Sequence, residues 1–171
     1  MSNTIIWDKF VRVFHWSTAS LFLLNYCVFE EGEDLHEWAG YTMAALVLLR
    51  IIWGFIGSTR ARFADFFPTP QRLKHHLKNG LRAHNPEQGH NPLGGAMILL
   101  MLMLLLITAT SGWMMGLDQF WGEDWVENLH EYSANIMLAA VVVHVTAVLV
   151  IQNITGVALV RAMLTGRREK Q

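Results

Sequence analysis

Four of the eight histidines in this 171-residue chain, His15, His36, His130 and His144, stand in or at the ends of long apolar stretches. An ionisable ring at membrane depth is costly and usually has a task. His130 and His144 are 144 − 130 = 14 residues apart. On an α-helix that is about 21 Å of rise, with the two side chains within roughly 40° of one face. A single helix therefore carries two imidazoles on one stripe, one near each end. If successive stretches run in alternate directions, His144 comes level with His15 and His130 with His36. The result is one histidine pair near each end of the stack.

Imidazoles from facing helices can hold a haem iron from both sides, and they also bind zinc or copper. Haem is favoured here. Each level has two inward histidines, and the apolar stretches supply no carboxylate or thiolate, whereas a structural zinc site wants four ligands. No C-x-x-C-H occurs, so the haems would be non-covalent, of b type. Gly40, Ser111, Gly112 and Ala134 near the outer pair, and Gly94 and Gly95 at the inner level, give a flat macrocycle room to lie against a helix. Small residues also serve plain helix packing. With both axial positions filled, such iron suits electron transfer better than bond-making.

Haem propionates need cationic or hydrogen-bonding partners. Arg12, one turn before His15, is a candidate for the inner haem. Arg50, the one charge inside an apolar stretch, is another, although a snorkelling arginine fits its position equally well. Trp16, Trp38, Trp53, Trp113, Trp121 and Trp125 cluster at the expected interfaces and read mostly as an aromatic belt. Met97, Met101, Met103, Met114 and Met115 read as packing or lipid-facing residues. His75, His76, His84 and His90 belong to a polar connection. Cys27 is the only cysteine, so no intrachain disulfide is possible.

The elements that position these residues follow from the charge pattern. Hydrophobic residues make up 53% of the chain and charged residues 16%, against about 25% charged in soluble domains. Residues 13–29, 91–117 and 132–160 carry no Asp, Glu, Lys or Arg, and residues 38–57 carry only Arg50. A bilayer core takes about 20 apolar residues as a helix. Residues 96–107 (AMILLMLMLLLI) are apolar on every face, unlike a helix of a soluble bundle. The expectation is an all-α, integral membrane four-helix bundle with antiparallel up-down transmembrane helices, forming one domain over residues 1–171. The helices are expected at about 11–29, 35–57, 92–116 and 129–152, with a short amphipathic segment at about 153–165. No secretory signal peptide is evident.

With four spans, both termini and the connection 58–91 share one side. That side holds twelve of the 13 Lys and Arg residues, and the thirteenth is Arg50. The positive-inside rule places it in the cytoplasm, the chain being a multi-pass membrane protein. The opposite side carries Glu30, Glu31, Glu33, Asp34, Glu37, Asp118, Glu123, Asp124, Glu127 and Glu131, with no basic residue. These ten carboxylates set up a negative field. They are either a solvated face or a docking patch for a basic partner such as a lysine-rimmed c-type cytochrome. No nucleic-acid partner is expected.

W-D-K-F-V-R-V-F-H-W at 7–16 resembles the opening of the bacterial two-haem cytochrome b family, which includes bacterial cytochrome b561 and the membrane subunit of nickel–iron hydrogenases. H-E-W-A-G at 36–40, L-L-R-I-I-W-G-F-I-G at 48–57, A-R-F at 61–63 and G-H-N-P-L-G-G at 89–95 continue the match. L-H-E-Y at 129–132, V-V-H at 142–144 and R-A-M-L-T-G at 161–166 complete it over nearly the whole chain. The resemblance implies a four-helix bundle with two b haems, His15 and His144 binding the inner haem iron and His36 and His130 the outer one. It further implies exchange of electrons between quinone and a soluble or membrane-attached redox partner. Members often pair or bind other subunits, which implies a homo-oligomer or a larger complex.

Hydrogenase subunits of this type tend to be longer, so the length favours a partner cytochrome c. Some relatives are instead enzymes that oxidise superoxide and pass the electron to quinone. An anionic substrate favours a positive outer mouth, and this one is acidic. A non-redox scaffold or metal-binding protein would leave the four-histidine geometry without a purpose. The expectation is therefore an electron-transfer subunit rather than a stand-alone enzyme.

Overall fold

A computed structural model describes residues 6–79 and 92–167. Helix α1 (Lys9–Cys27) starts on an aspartate cap: Asp8 Oδ1 accepts the Val11 N–H at 2.8 Å, filling one of the open donors of a helix start. Helix α2 (Asp34–Ile56) has Asp34 and Glu37 in its first turn, where negative charge suits the helix dipole. After a 3-10 turn at Thr59–Ala61 come α3 (Phe63–Phe66) and α4 (Pro70–Asn79). Helix α5 (Pro92–Met115) follows, and α4 and α5 both begin on a proline, which lacks only an N–H that is unpaired there anyway. A second 3-10 turn, Asp118–Phe120, leads into α6 (Asp124–Thr155), and α7 (Leu159–Thr165) comes last. Every described element is helical.

Three boundaries differ from the sequence expectation. The helix expected at 129–152 begins at Asp124. Asp124 and Glu127 lie in its first turn, so a stretch that reads as polar loop is a dipole-matched helix start. The segment expected at 153–165 is broken at Gly156, whose φ of +66° belongs to the left-handed region, and only Leu159–Thr165 is a separate helix. The connection 58–91 carries two short helices. His84 and His90, with Arg82, Arg168 and Lys170, lie outside the described residues.

Three helices, α2, α5 and α6, are long and apolar enough to cross a membrane. Only 17% of the apolar window of α5 and 11% of that of α6 is buried within the protein. Phe55 and Ile56 of α2 are 69% and 70% exposed. Apolar surface of this extent on a folded chain marks a membrane or partner face, and the protein is a multi-pass membrane protein. Helix α1 has 19 residues but is not among the three; Arg12, His15, Thr18 and Asn25 dilute its apolar character.

The chain divides into two compact units. One comprises residues 13–51 and 100–141. Its core is Phe22, Met43, Val47, Leu102, Leu104, Leu105, Val126 and Met137. One buried polar pair here is Thr108 Oγ1 and Ser133 Oγ at 2.7 Å, in accord with the cost of leaving such groups unmade. The other comprises residues 1–12, 52–99 and 142–171. In it Asp8 Oδ2 accepts hydrogen bonds from Trp53 Nε1 at 3.0 Å and from the Ser58 hydroxyl. A side chain at Gly95 would run into the Phe66 carbonyl, and one at Gly54 into the Phe63 ring.

Candidate functional site

Within the unit of residues 13–51 and 100–141 lies a cavity of about 590 Å³ lined by both His36 and His130. That size is typical of a cofactor site. His36 stands in the first turn of α2 and His130 in the second turn of α6. Their ring centroids are 6.2 Å apart and their planes meet at 57°.

The orientation of His130 is fixed by its neighbours. Its Nδ1 lies 2.9 Å from the Thr108 carbonyl oxygen and 3.3 Å from Ser111 Oγ. A carbonyl can only accept, so Nδ1 carries the proton and donates, and Nε2 keeps the lone pair that a metal needs. A metal-binding histidine is commonly held in this way, its second nitrogen bonded to a backbone carbonyl. Gly112 makes the arrangement possible: a Cβ there would sit 2.9 Å from His130 Cε1 and 3.1 Å from Nδ1. The carbonyl of His36 accepts a hydrogen bond from Asn25 Nδ2 at 3.1 Å, which ties the start of α2 to α1. His36 Nδ1 and Asn25 Oδ1 are buried without a partner among the described residues.

The pair can be tested against a metal bridged by two imidazoles. Metal–nitrogen bonds of about 2.0–2.1 Å, plus roughly 1.1 Å from each nitrogen to its ring centre, put trans imidazole centroids about 6 Å apart. The observed 6.2 Å fits. Among the described residues no cluster of three or more His, Cys, Asp or Glu side chains is placed to hold a metal ion. A structural zinc site made from these side chains alone is therefore disfavoured. Gly40, Ala109, Gly112 and Ala134 line the cavity beside Phe22 and Leu105, leaving room and an apolar surface for a flat ring. The residues present fit a haem, which His36 and His130 would hold.

The chain's family follows from its sequence as a whole. The profile of prokaryotic cytochrome b561 matches residues 6–166. The chain belongs to the prokaryotic cytochrome b561 family. Neither the curated proteins nor the solved structures compared with it gave a match. Membership of the cytochrome b561 family makes this a membrane b-type cytochrome of electron transfer, which binds haem b.

The remaining sequence candidates in this b561-family chain are placed as follows. His15 is half-buried in the same unit as the cavity, its ring edge-on to Trp16 at 5.1 Å, but it does not line the cavity. His144 is half-buried in the other unit. Arg50 is 3% exposed, which speaks against snorkelling. Arg12 is half-buried and its Nη1 donates to the Leu164 carbonyl at 2.7 Å. Trp53 departs from the aromatic-belt expectation, because its indole N–H is bound by Asp8.

Sequence reasoning missed two contributors. One is the Thr108 carbonyl, a backbone group that has no sequence signal. The other is Asn25, a polar residue in a stretch without charges, which the same depth argument used for the histidines would have found. The Tyr26 hydroxyl donates to Asn135 Oδ1, and both residues line the cavity together with Glu31, Glu37 and Glu131.

Proposed function

We propose that this chain is a di-haem cytochrome b that carries electrons across the bacterial cytoplasmic membrane, between the quinone pool and a periplasmic redox protein, with a c-type cytochrome as the favoured partner. The observation that carries the proposal is the His36–His130 pair at 6.2 Å, with His130 Nδ1 fixed on the Thr108 carbonyl. These two histidines are assigned to the outer haem. His15 and His144 are assigned to the inner one on the register of the helices and the family resemblance, and Arg50 to the polar groups near propionates or quinone. Haem b, held between these histidines, would supply a one-electron carrier.

The chain's own residues hold and tune that carrier. The Thr108 carbonyl makes His130 a stronger donor and sets its ring plane. The lining sets apolar Phe22 and Leu105 against the carboxylates Glu31, Glu37 and Glu131; the apolar contacts would favour the less charged redox state of the group, and the carboxylates the more charged one. Topologically, α1, α2, α5 and α6 form an antiparallel four-helix bundle with both termini cytoplasmic. All ten acidic residues of the outer connections are exposed. A field of one sign steers an oppositely charged partner and raises its association rate at low salt.

The proposal is tested in vesicles that hold the protein and a quinol, with a cationic cytochrome c outside. Quinol-dependent reduction of the external cytochrome is expected, with loss of most of the rate for His15→Ala and for His130→Ala. Haem-replete protein that supports no such reduction would sink the transmembrane role.

A further inference from the structure

A second cavity, of about 460 Å³, lies within the unit of residues 1–12, 52–99 and 142–171. It is lined by Lys9, Arg12 and Arg167, with Asp8 as its one carboxylate. Asp8 is already engaged, one oxygen by the Val11 N–H and the other by Trp53 and Ser58. Among the described residues, three cations therefore line a concave site whose single anion is committed to the fold. Arg12 is held in place: Nη1 donates to the Leu164 carbonyl, and the guanidinium lies against Gly166, where a Cβ would come within 3.2 Å of Nε and 2.8 Å of the Trp7 carbonyl. Gly166 has φ +80°, so no larger residue fits there without strain. The Nε of Arg12 is buried and has no hydrogen-bond partner among the described residues. A buried guanidinium donor left open is expensive unless something accepts from it.

We propose that this cavity binds the phosphate of an anionic glycerophospholipid on the cytoplasmic leaflet. Phosphate matches the donors, because Arg presents a planar fork to its oxygens and Lys a mobile point charge. A lipid source is favoured over free phosphate by the neighbouring surface. Leu164, whose carbonyl anchors Arg12, is 57% exposed, and Val160 one turn earlier is exposed too. Acyl chains can lie along that face of α7 while the headgroup meets the cations. Among the described residues no histidine lines this cavity, so it is separate from the haem-ligand candidates, although Arg12 is also a sequence candidate for a propionate partner. Basic pockets on the cytoplasmic side are a recurrent mode of anionic headgroup recognition.

Native mass spectrometry of the purified protein with phosphatidylglycerol or phosphatidylcholine tests this. Wild type should retain phosphatidylglycerol selectively. The Lys9→Gln/Arg167→Gln double variant should lose that retention by about tenfold or more, since each basic group near the surface contributes about 1 kcal/mol. Its b-type absorption should stay unchanged. Millimolar inorganic phosphate should fail to displace the lipid. If the double variant does not purify, Lys9→Arg/Arg167→Lys replaces it and should hold the lipid as wild type does. Equal retention of the two lipids by wild type would overturn the proposal. So would retention unchanged in the double variant, displacement by inorganic phosphate, or loss of haem absorption with lipid retention intact, which would mark a propionate anchor instead. None of the lipid readouts depends on the transmembrane electron path, so the two proposals can fail separately.

Discussion

His130 is defined by two contacts of different kinds, a hydrogen bond that orients its ring and an absent side chain that makes room for it. Gly112→Ala leaves the Thr108 carbonyl in place but sets a methyl group 2.9 Å from His130 Cε1. Cores do not absorb such overlaps without displacement. The ring must move off its hydrogen bond, and the outer site should lose affinity for haem by about tenfold or more, as for other residues that support a metal ligand. Titration of the apoprotein with haem checks this, the inner site serving as internal control. Unchanged affinity would mean that the His130 ring is not held as described. At this scale the sequence was partly legible. The histidines stand out because an imidazole is out of place among apolar side chains. The carbonyl that orients one of them does not, because every residue has one.

At the scale of elements, Asp8 does more than begin α1. Its carboxylate caps that helix and also accepts from Trp53 near the end of α2 and from Ser58 just beyond it. Asp8→Ala removes a cap, about 0.5–2 kcal/mol, and two further hydrogen bonds at about 1 kcal/mol each. A loss of about 2.5–4 kcal/mol is expected, read as a lower midpoint of unfolding in detergent. A midpoint equal to that of wild type would show the cap to be redundant. The limits of sequence reading are clear in α6. Its apolar body from residue 132 onward is evident, but its first turns are polar and acidic and resemble the outer loop. The dipole that makes Asp124 and Glu127 good helix starters is a property of the formed helix, so hydropathy alone does not find it. Likewise α3, four residues long, is too short to announce itself by periodicity, and α4 has too few apolar residues to stand out by hydropathy.

Across the whole molecule, charge is sorted by position. The exposed carboxylates at the start of α2 and α6 and in the connections before them are matched by no basic residue in those segments. If they steer a cationic partner, the rate of cytochrome c reduction should fall steeply as ionic strength rises, because screening shortens the reach of the field. Replacing Glu30, Glu33 and Glu127 by Gln should lower the association rate several-fold at low salt and leave the haem spectrum unchanged. A rate indifferent to salt and to these substitutions would reduce the acidic face to a solvated surface. This sorting was legible from the sequence because it needs only the order of charged residues along the chain. The cavities were not legible, because each depends on which small residues meet across helices.

The central claim is two haem sites, each held by a histidine pair. Its most direct test is haem stoichiometry. Protein purified in mild detergent is assayed by pyridine haemochrome and by reduced-minus-oxidised spectra, for wild type, His36→Ala and His15→Ala. About two b haems per chain in wild type are expected, with one remaining in each variant. One haem in wild type, lost in His36→Ala and retained in His15→Ala, would contradict the inner pair. Haem content unchanged in His36→Ala would contradict the outer one.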